Sequence, residues 1–313
     1  MLRYVALRLL SVIPVMAVVA AVVFLLLRLA PGDPAALIAG DGASAEQIAL
    51  VRTNLHLDEP IYVQFGAWLA RVLSLDLGFS VFSQLPVTQL IGQRIEPTLM
   101  LALTTTVLAV LYAVPLGLAA AWRARSAIDR GVIGLSVVGF SIPVFVVGYA
   151  LIYLFALKLG WLPVQGYKPL SAGLFECLRT LILPSVALAL AFGAFLARVT
   201  RAAMLDVLDQ DYIRTARAKG VGTVRLLVHH ALRNAGVPVV TVIGIGFASL
   251  IGGVVVTESV FSIPGIGRLT VDAILRRDYP VVQGVLLAFS GMLIVVNLLV
   301  DLTYGLFDPR IRY

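Results

Sequence analysis

Charge is scarce in this chain. Of its 313 residues only 13% are Asp, Glu, Lys or Arg, whereas 60% are hydrophobic and mean hydropathy is +0.99. Soluble domains carry about 25% charged residues. The deficit excludes a large soluble core and leaves an integral membrane protein. A single cysteine, Cys177, excludes an intramolecular disulfide and any cysteine-based metal site. The three histidines, His56, His229 and His230, offer no metal cluster. There is no G-x-x-x-x-G-K-[ST] phosphate loop, no H-E-x-x-H and no G-x-S-x-G. The chain therefore reads as non-catalytic, with no cofactor of its own. The net charge of +7 does not point to nucleic acid, because aromatic stacking positions beside the basic residues are absent. Charge within the apolar runs is also scarce. Glu258 and Asp301 fall at run ends and are expected near the membrane interface. An ion-coupled secondary carrier, which needs an intramembrane relay or an inverted repeat, loses support on both counts.

What the chain does have is apolar runs. Leu9–Leu27, Thr98–Trp122, Val132–Leu157, Leu181–Ala197, Val237–Thr257 and Val281–Phe307 are each near the roughly 20 residues that cross a bilayer. Leu181–Ala197 is the shortest. Six spans are expected, in an all-α integral membrane protein. With the N-terminus inside, the inner segments hold 14 basic residues in 63 positions and the outer segments 10 in 116. The density difference puts both termini in the cytoplasm. It also puts Cys177 outside, where a thiol probe should reach it. The expected organisation is a first transmembrane helix in 1–30, an extracytoplasmic region at 31–97 and a five-helix core at 98–313. In the outer region, helices are expected over Ser44–Leu55, opened by a Ser44/Gln47 capping box, and over Tyr62–Leu75. Mid-span polar residues Thr105, Ser136, Ser141, Ser249 and Asn297 are candidates for lining a pathway, or for bonding to neighbouring helices.

Between two apolar runs lies a polar island, 198–236. Seven of the 24 basic residues fall there, with His229 and His230, against three acids, Asp206, Asp209 and Asp211. Leu205, Leu208, Tyr212 and Ala216 recur at helical spacing. Arg217 and Lys219 suit a last turn, and Gly220 is placed as its C-cap. A second short helix fits after Gly222. Pattern alone reads the island as a headgroup-facing loop obeying the positive-inside rule, or as a docking element for a soluble partner.

The string Asp211-Tyr212-Ile213-Arg214-Thr215-Ala216-Arg217-Ala218-Lys219-Gly220, followed by His230-Ala231-Leu232-Arg233-Asn234-Ala235, resembles the cytoplasmic motif of ABC-importer permeases of the dipeptide/oligopeptide/nickel family. Pro31-Gly32-Asp33-Pro34, Phe261-Ser262-Ile263-Pro264-Gly265-Ile266-Gly267-Arg268, Arg277-Asp278-Tyr279-Pro280 and the ending Asp308-Pro309-Arg310 are similar to the same family. The long first outer region resembles its B-type subunit. Aligned on Gly220, the general importer motif has glutamate where Arg214 stands, alanine at Thr215, isoleucine at His230 and proline at Arg233.

The resemblance implies a type I ABC importer permease architecture in the bacterial cytoplasmic membrane. It implies a coupling helix at about 205–219 that docks on a cytoplasmic ATPase. The coupling residues it implies are Leu208, Asp211, Tyr212, Arg214, Thr215, Ala216, Arg217, Lys219, Gly220 and His230, with Leu208 and Tyr212 as anchors. Implied partners are a homologous second permease, two ATPase subunits that bind ATP and Mg, and an extracytoplasmic solute-binding protein. The implied solute is a di- or oligopeptide, with nickel chelates and glutathione as alternatives within the family.

Overall fold

Inside a bilayer every backbone N–H and C=O must be satisfied within the protein, which favours helices. The computed structural model describes residues 2–29, 33–40, 42–54 and 57–307, and among them it is helical, with one isolated bridge between Phe79 and Pro86. The Pro31-Gly32 pair and the Asp308-Pro309-Arg310 ending lie outside the described residues. The helices are α1 (Leu2–Leu29), α2 (Pro34–Ala39), α3 (Ala45–Asn54), α4 (Ile61–Leu73), α5 (Val87–Trp122), α6 (Ala127–Ser141), α7 (Val144–Leu151), α8 (Leu174–Leu208), α9 (Asp211–Ala218), α10 (Thr223–Arg225), α11 (Gly236–Gly253), α12 (Val255–Val260), α13 (Ile266–Leu275) and α14 (Tyr279–Phe307). Two of them continue as π-helix, α7 through Ile152–Lys158 and α10 through Leu226–Leu232.

Three helices are unbroken and apolar enough to span: α5, α8 and the Tyr279–Thr303 part of α14. Two further spans are broken pairs, bent by 96° between α6 and α7 and by 68° between the 223–232 helix and α11. Counting each bent pair as one span gives up to five among the described residues, and the Leu10–Leu26 stretch of α1 is a shorter apolar helix beside them. The expected continuous span Val132–Leu157 is thus corrected to a bent pair. Its cause is local: Pro143 disfavours helical backbone at the residue before it, and Ile142 is extended (φ −92°, ψ 122°). Pro97 and Pro115 do not break α5, which begins ten residues or so earlier than the apolar run suggested. Charged ends likewise stay helical in α8, which reaches 35 residues.

The chain divides into two compact units. The first holds Met1–Glu96 and Pro264–Ile294. Its core is Val87, Ile91, Ile266, Leu269, Ala273, Val281 and Val285, so the 31–97 region packs with α13 and the start of α14. Phe24 of α1 meets Phe65 and Trp68 of α4, with ring centroids 5.2 and 5.6 Å apart. The capping box forms as expected: the Ser44 amide donates to Gln47 Oε1 (2.8 Å) and the Gln47 amide to Ser44 Oγ (3.2 Å). Asp278 is buried and accepts from the Ser80 hydroxyl (2.5 Å) and the Val81 amide (3.3 Å), clipping the 79–86 turn to the start of α14.

The second unit, Pro97–Ile263 with Val295–Arg312, is built on α8. Helices α6, α7 and α11 pack along it. A Cβ on Gly117 of α5 would strike the Ala197 carbonyl and Thr200, and one on Gly139 of α6 would press on Ala194 and the Leu190 carbonyl. Close approach through small residues is the usual basis of helix packing where lipid is as apolar as the side chains. Glu258, expected at the interface, is instead fully enclosed and accepts from the Thr98 hydroxyl (2.6 Å). Burying a carboxylate demands such a partner. Cys177 is also buried, 3.8 Å from the Tyr167 hydroxyl, so it is shielded from a probe on either side.

Gly117→Val should lower the thermal midpoint of the detergent-purified chain, because overpacking costs about 1–3 kcal/mol. Gly134→Val, at a glycine with open space around it, should not. Equal midpoints for the two variants would contradict the packing described here.

Candidate functional site

The polar island becomes a folded element at one end of α8. That helix stops at Leu208, Gln210 turns extended (φ −73°, ψ 147°), and α9 begins at Asp211. The single helix expected over 205–219 is therefore corrected: Leu205 and Leu208 end α8, and Tyr212 and Ala216 belong to α9. A helical period that runs across Asp209 and Gln210 masked the break.

One side chain of α9 is buried. Ile213 has no exposed surface and packs with Leu118 and Ala121 of α5, Ala203 and Met204 of α8, and Leu226, Ala231 and Ala235 of the following segment. Leu208 and Ala216 press against the same cluster. The anchor within the chain is thus Ile213, a residue the sequence reading passed over. Its signal was present, since isoleucine is the one large aliphatic residue among the eight of α9. Burying such a side chain contributes about 1.5–3 kcal/mol.

The remaining faces of α9 are open. Asp211, Tyr212, Arg214, Thr215, Arg217 and Lys219 are all exposed. Arg214 Nη1 lies 3.4 Å from Asp211 Oδ1 with both side chains largely in solvent, so the pair stabilises little and both groups stay available. The Thr215 hydroxyl donates back to the Asp211 carbonyl (3.0 Å). Arg217 is less free than a bare surface cation, because its guanidinium sits 4.9 Å over the Trp122 ring. Tyr212 is 43% exposed; partial burial pushes its phenol up from the ordinary value, opposed by a hydrogen bond with Asn234. His230 is half-buried on the next segment, its carbonyl taking the Asn234 side-chain amide (2.7 Å) and its ring 5.5 Å from that of His229.

Gly220 closes the helix. It holds φ +77°, and the Val221 amide reaches back to the Ala216 carbonyl (3.2 Å) while the Gly220 amide reaches that of Arg217 (3.0 Å). This is a Schellman ending, which places the left-handed residue just past the cap. A Cβ at this position would meet no atom within 4 Å, so the demand for glycine is one of backbone and not of space.

The pathway candidates separate into two groups. Thr105 and Ser136 are buried, and Ser136 donates to the Val132 (2.8 Å) and Ala194 (3.0 Å) carbonyls, tying α6 to α8. Ser141, Ser249 and Asn297 are exposed. Ser249 borders an apolar cavity of about 340 Å³ among Phe140, Phe192, Phe195, Ile245 and Leu250. Sequence reasoning also missed Asp129 and Arg201, whose side chains form an ion pair between α6 and α8.

Comparison with known proteins adds the following. The family model described as binding-protein-dependent transport system inner membrane component matches residues 113–313. The N-terminal model of the same systems matches residues 1–102. A probable peptide ABC transporter permease of Sinorhizobium fredii is 54% identical over 310 residues, covering 99% of each chain. A putative peptide transport system permease of Brucella abortus is 47% identical over 306 residues, 98% of each chain. A glutathione transport system permease of Salmonella typhi is 47% identical over 314 residues, 100% of each chain. An inward-facing structure of the MetNI methionine ABC transporter has the same fold, with a TM-score of 0.59 at 17% identity over 70% of this chain and 97% of that one.

Gly220→Val should cost about 1–2 kcal/mol locally, because a β-branched residue is forced into left-handed backbone, and Gly220→Asn should cost less. Amide exchange at residue 220 and Val221 should quicken most in the valine variant. Unchanged exchange there would contradict the assigned helix ending.

Proposed function

This chain belongs to the family of binding-protein-dependent transport system inner membrane components, and from that premise we propose the details of its part in an importer. It is a multi-pass inner-membrane permease subunit of an ABC transporter. It forms part of the translocation pathway and does not itself carry the ATP-binding loop. The solute is a di- or oligopeptide or a small peptide-like molecule; the relatives named for peptide and glutathione transport support this range.

The observation that carries the mechanism is α9. A short helix stands at the end of α8, held by the buried Ile213, with charged and aromatic side chains facing outward on its other sides. Such an element transmits force as a rigid body, because packed elements shift between discrete arrangements. In this reading α9 is the coupling helix and seats in a cleft of a cytoplasmic ATPase subunit. Tyr212 supplies an exposed aromatic contact. Arg214 and Lys219 pair with acids on the ATPase, and Arg217 presents its edge while stacked on Trp122. Thr215, Asp211 and His230 rim the contact, and Gly220 fixes its end.

The assembled importer has a homologous second permease, two ATPase subunits that bind ATP and Mg, and an extracytoplasmic binding protein. Both termini and α9 face the cytoplasm, as the basic-residue distribution supports. The start of α8 then faces outside.

Affinity purification of this chain in mild detergent should recover a second permease and ATPase subunits, with ATP hydrolysis stimulated by a binding protein. Recovery of the chain alone, active under an ion gradient, would favour a secondary carrier instead. For orientation, Phe175→Cys, at a position 76% exposed, should react with an impermeant maleimide from outside only. Reaction from the cytoplasm alone would reverse the topology.

A further inference from the structure

The helix pair α6 and α8 meets in a regular antiparallel register. Asp129 faces Arg201, Ser136 faces Ala194 and Gly139 lies against Ala194 and Leu190, so contacts recur every one to two helical turns. The contacts away from α9 are neutral: a hydroxyl on a carbonyl, and a glycine packed against backbone. The contact nearest α9 is ionic. Arg201 Nε donates to Asp129 Oδ1 and Nη2 to Oδ2 (2.8 Å), a two-point fork, while the Arg125 amide also donates to Oδ2 (2.8 Å). The Asp129 side chain is 3% exposed and that of Arg201 22%. The carboxylate is fully engaged, and Arg201 keeps some contact with solvent.

The Ile213 cluster draws on α5, α8, α9 and the 226–235 segment, but takes nothing from α6. Motion of α9 therefore reaches α6 through α5 and α8, which both share a core with Val132, and only α8 adds an ionic contact. Beyond Asp129, α6 bends into α7, where Gly148 lies against the Phe261 ring, and the neighbouring α12 carries the buried Glu258 bonded to Thr98.

We infer that the Asp129–Arg201 ion pair is a positioning strut that makes α6 follow α9 during the transport cycle, linking the coupling helix to α7 and α12. The inference rests on the importer reading above. Neutral contacts between small residues permit axial sliding; a two-point, charge-assisted fork resists it. The pair therefore matters most when α9 is driven, and less for holding the resting fold.

The test uses the whole complex with its binding protein in proteoliposomes, measuring peptide imported per ATP hydrolysed. Asp129→Asn should assemble and hydrolyse ATP, yet import per ATP should fall roughly tenfold or more, because the charge-assisted fork between α6 and α8 is lost. Arg201→Lys keeps the charge but not the fork, and should show a smaller loss. It also decides the matter if Asp129→Asn is poorly produced. Spin labels at Val137 and Ala218, both exposed, give a second readout. Their separation should stay constant between nucleotide-free and ATP-bound wild type, and should change in the variants. Wild-type import per ATP in both variants, or an unchanged label separation in both, would overturn the strut. A wild-type complex that hydrolyses ATP but never imports would instead count against the importer reading itself.

Discussion

Close packing onto α8 is the constraint from which the second unit follows. Water supplies no hydrophobic drive between helices within lipid, so they must gain contact by approaching closely. Gly117 and Gly139 let α5 and α6 come near enough to touch backbone on α8. Ser136 then reaches the Ala194 carbonyl across the gap. A longer side chain at Gly139 would separate α6 from α8 and leave that hydroxyl to bond only within its own helix.

The same helix positions the proposed coupling element, α9. Because α8 continues beyond the apolar run to Leu208, it places α9 past the apolar stretch, where Ile213 packs it against α5, α8 and the 226–235 segment. The face that remains open is polar, charged and aromatic, suited to a protein surface more than to lipid. Force applied to α9 acts on a cluster shared by several helices, and Asp129–Arg201 extends that linkage to α6.

Fold class and membership were legible in the sequence because they depend on composition and on long motifs. Low charge and six apolar runs marked a helical membrane protein, and the Asp211–Gly220 string marked the family. The Ser44/Gln47 box and the Gly220 ending were also readable, since each is set by neighbours a few positions away. What escaped depends on distant residues or on one dihedral. The break at Gln210 needs a single extended residue within an otherwise helical period. The bend at Ile142 was signalled by Pro143, yet Pro97 and Pro115 leave α5 intact, so proline alone does not settle a kink. Glu258 looked interfacial by position; its partner Thr98 lies 160 residues away. Asp129 and Arg201 are separated by 72 residues, and nothing in either local pattern points to the other.

The central claim is that this permease moves solute only as part of an ATP-driven, binding-protein-dependent assembly. The most direct measurement is uptake of a radiolabelled peptide by proteoliposomes containing this chain, its partner permease and the ATPase subunits, with no ion gradient. Uptake should require both ATP inside and loaded binding protein outside, and should stop when either is withheld. Uptake that continues without ATP and follows an imposed proton or sodium gradient would contradict the account.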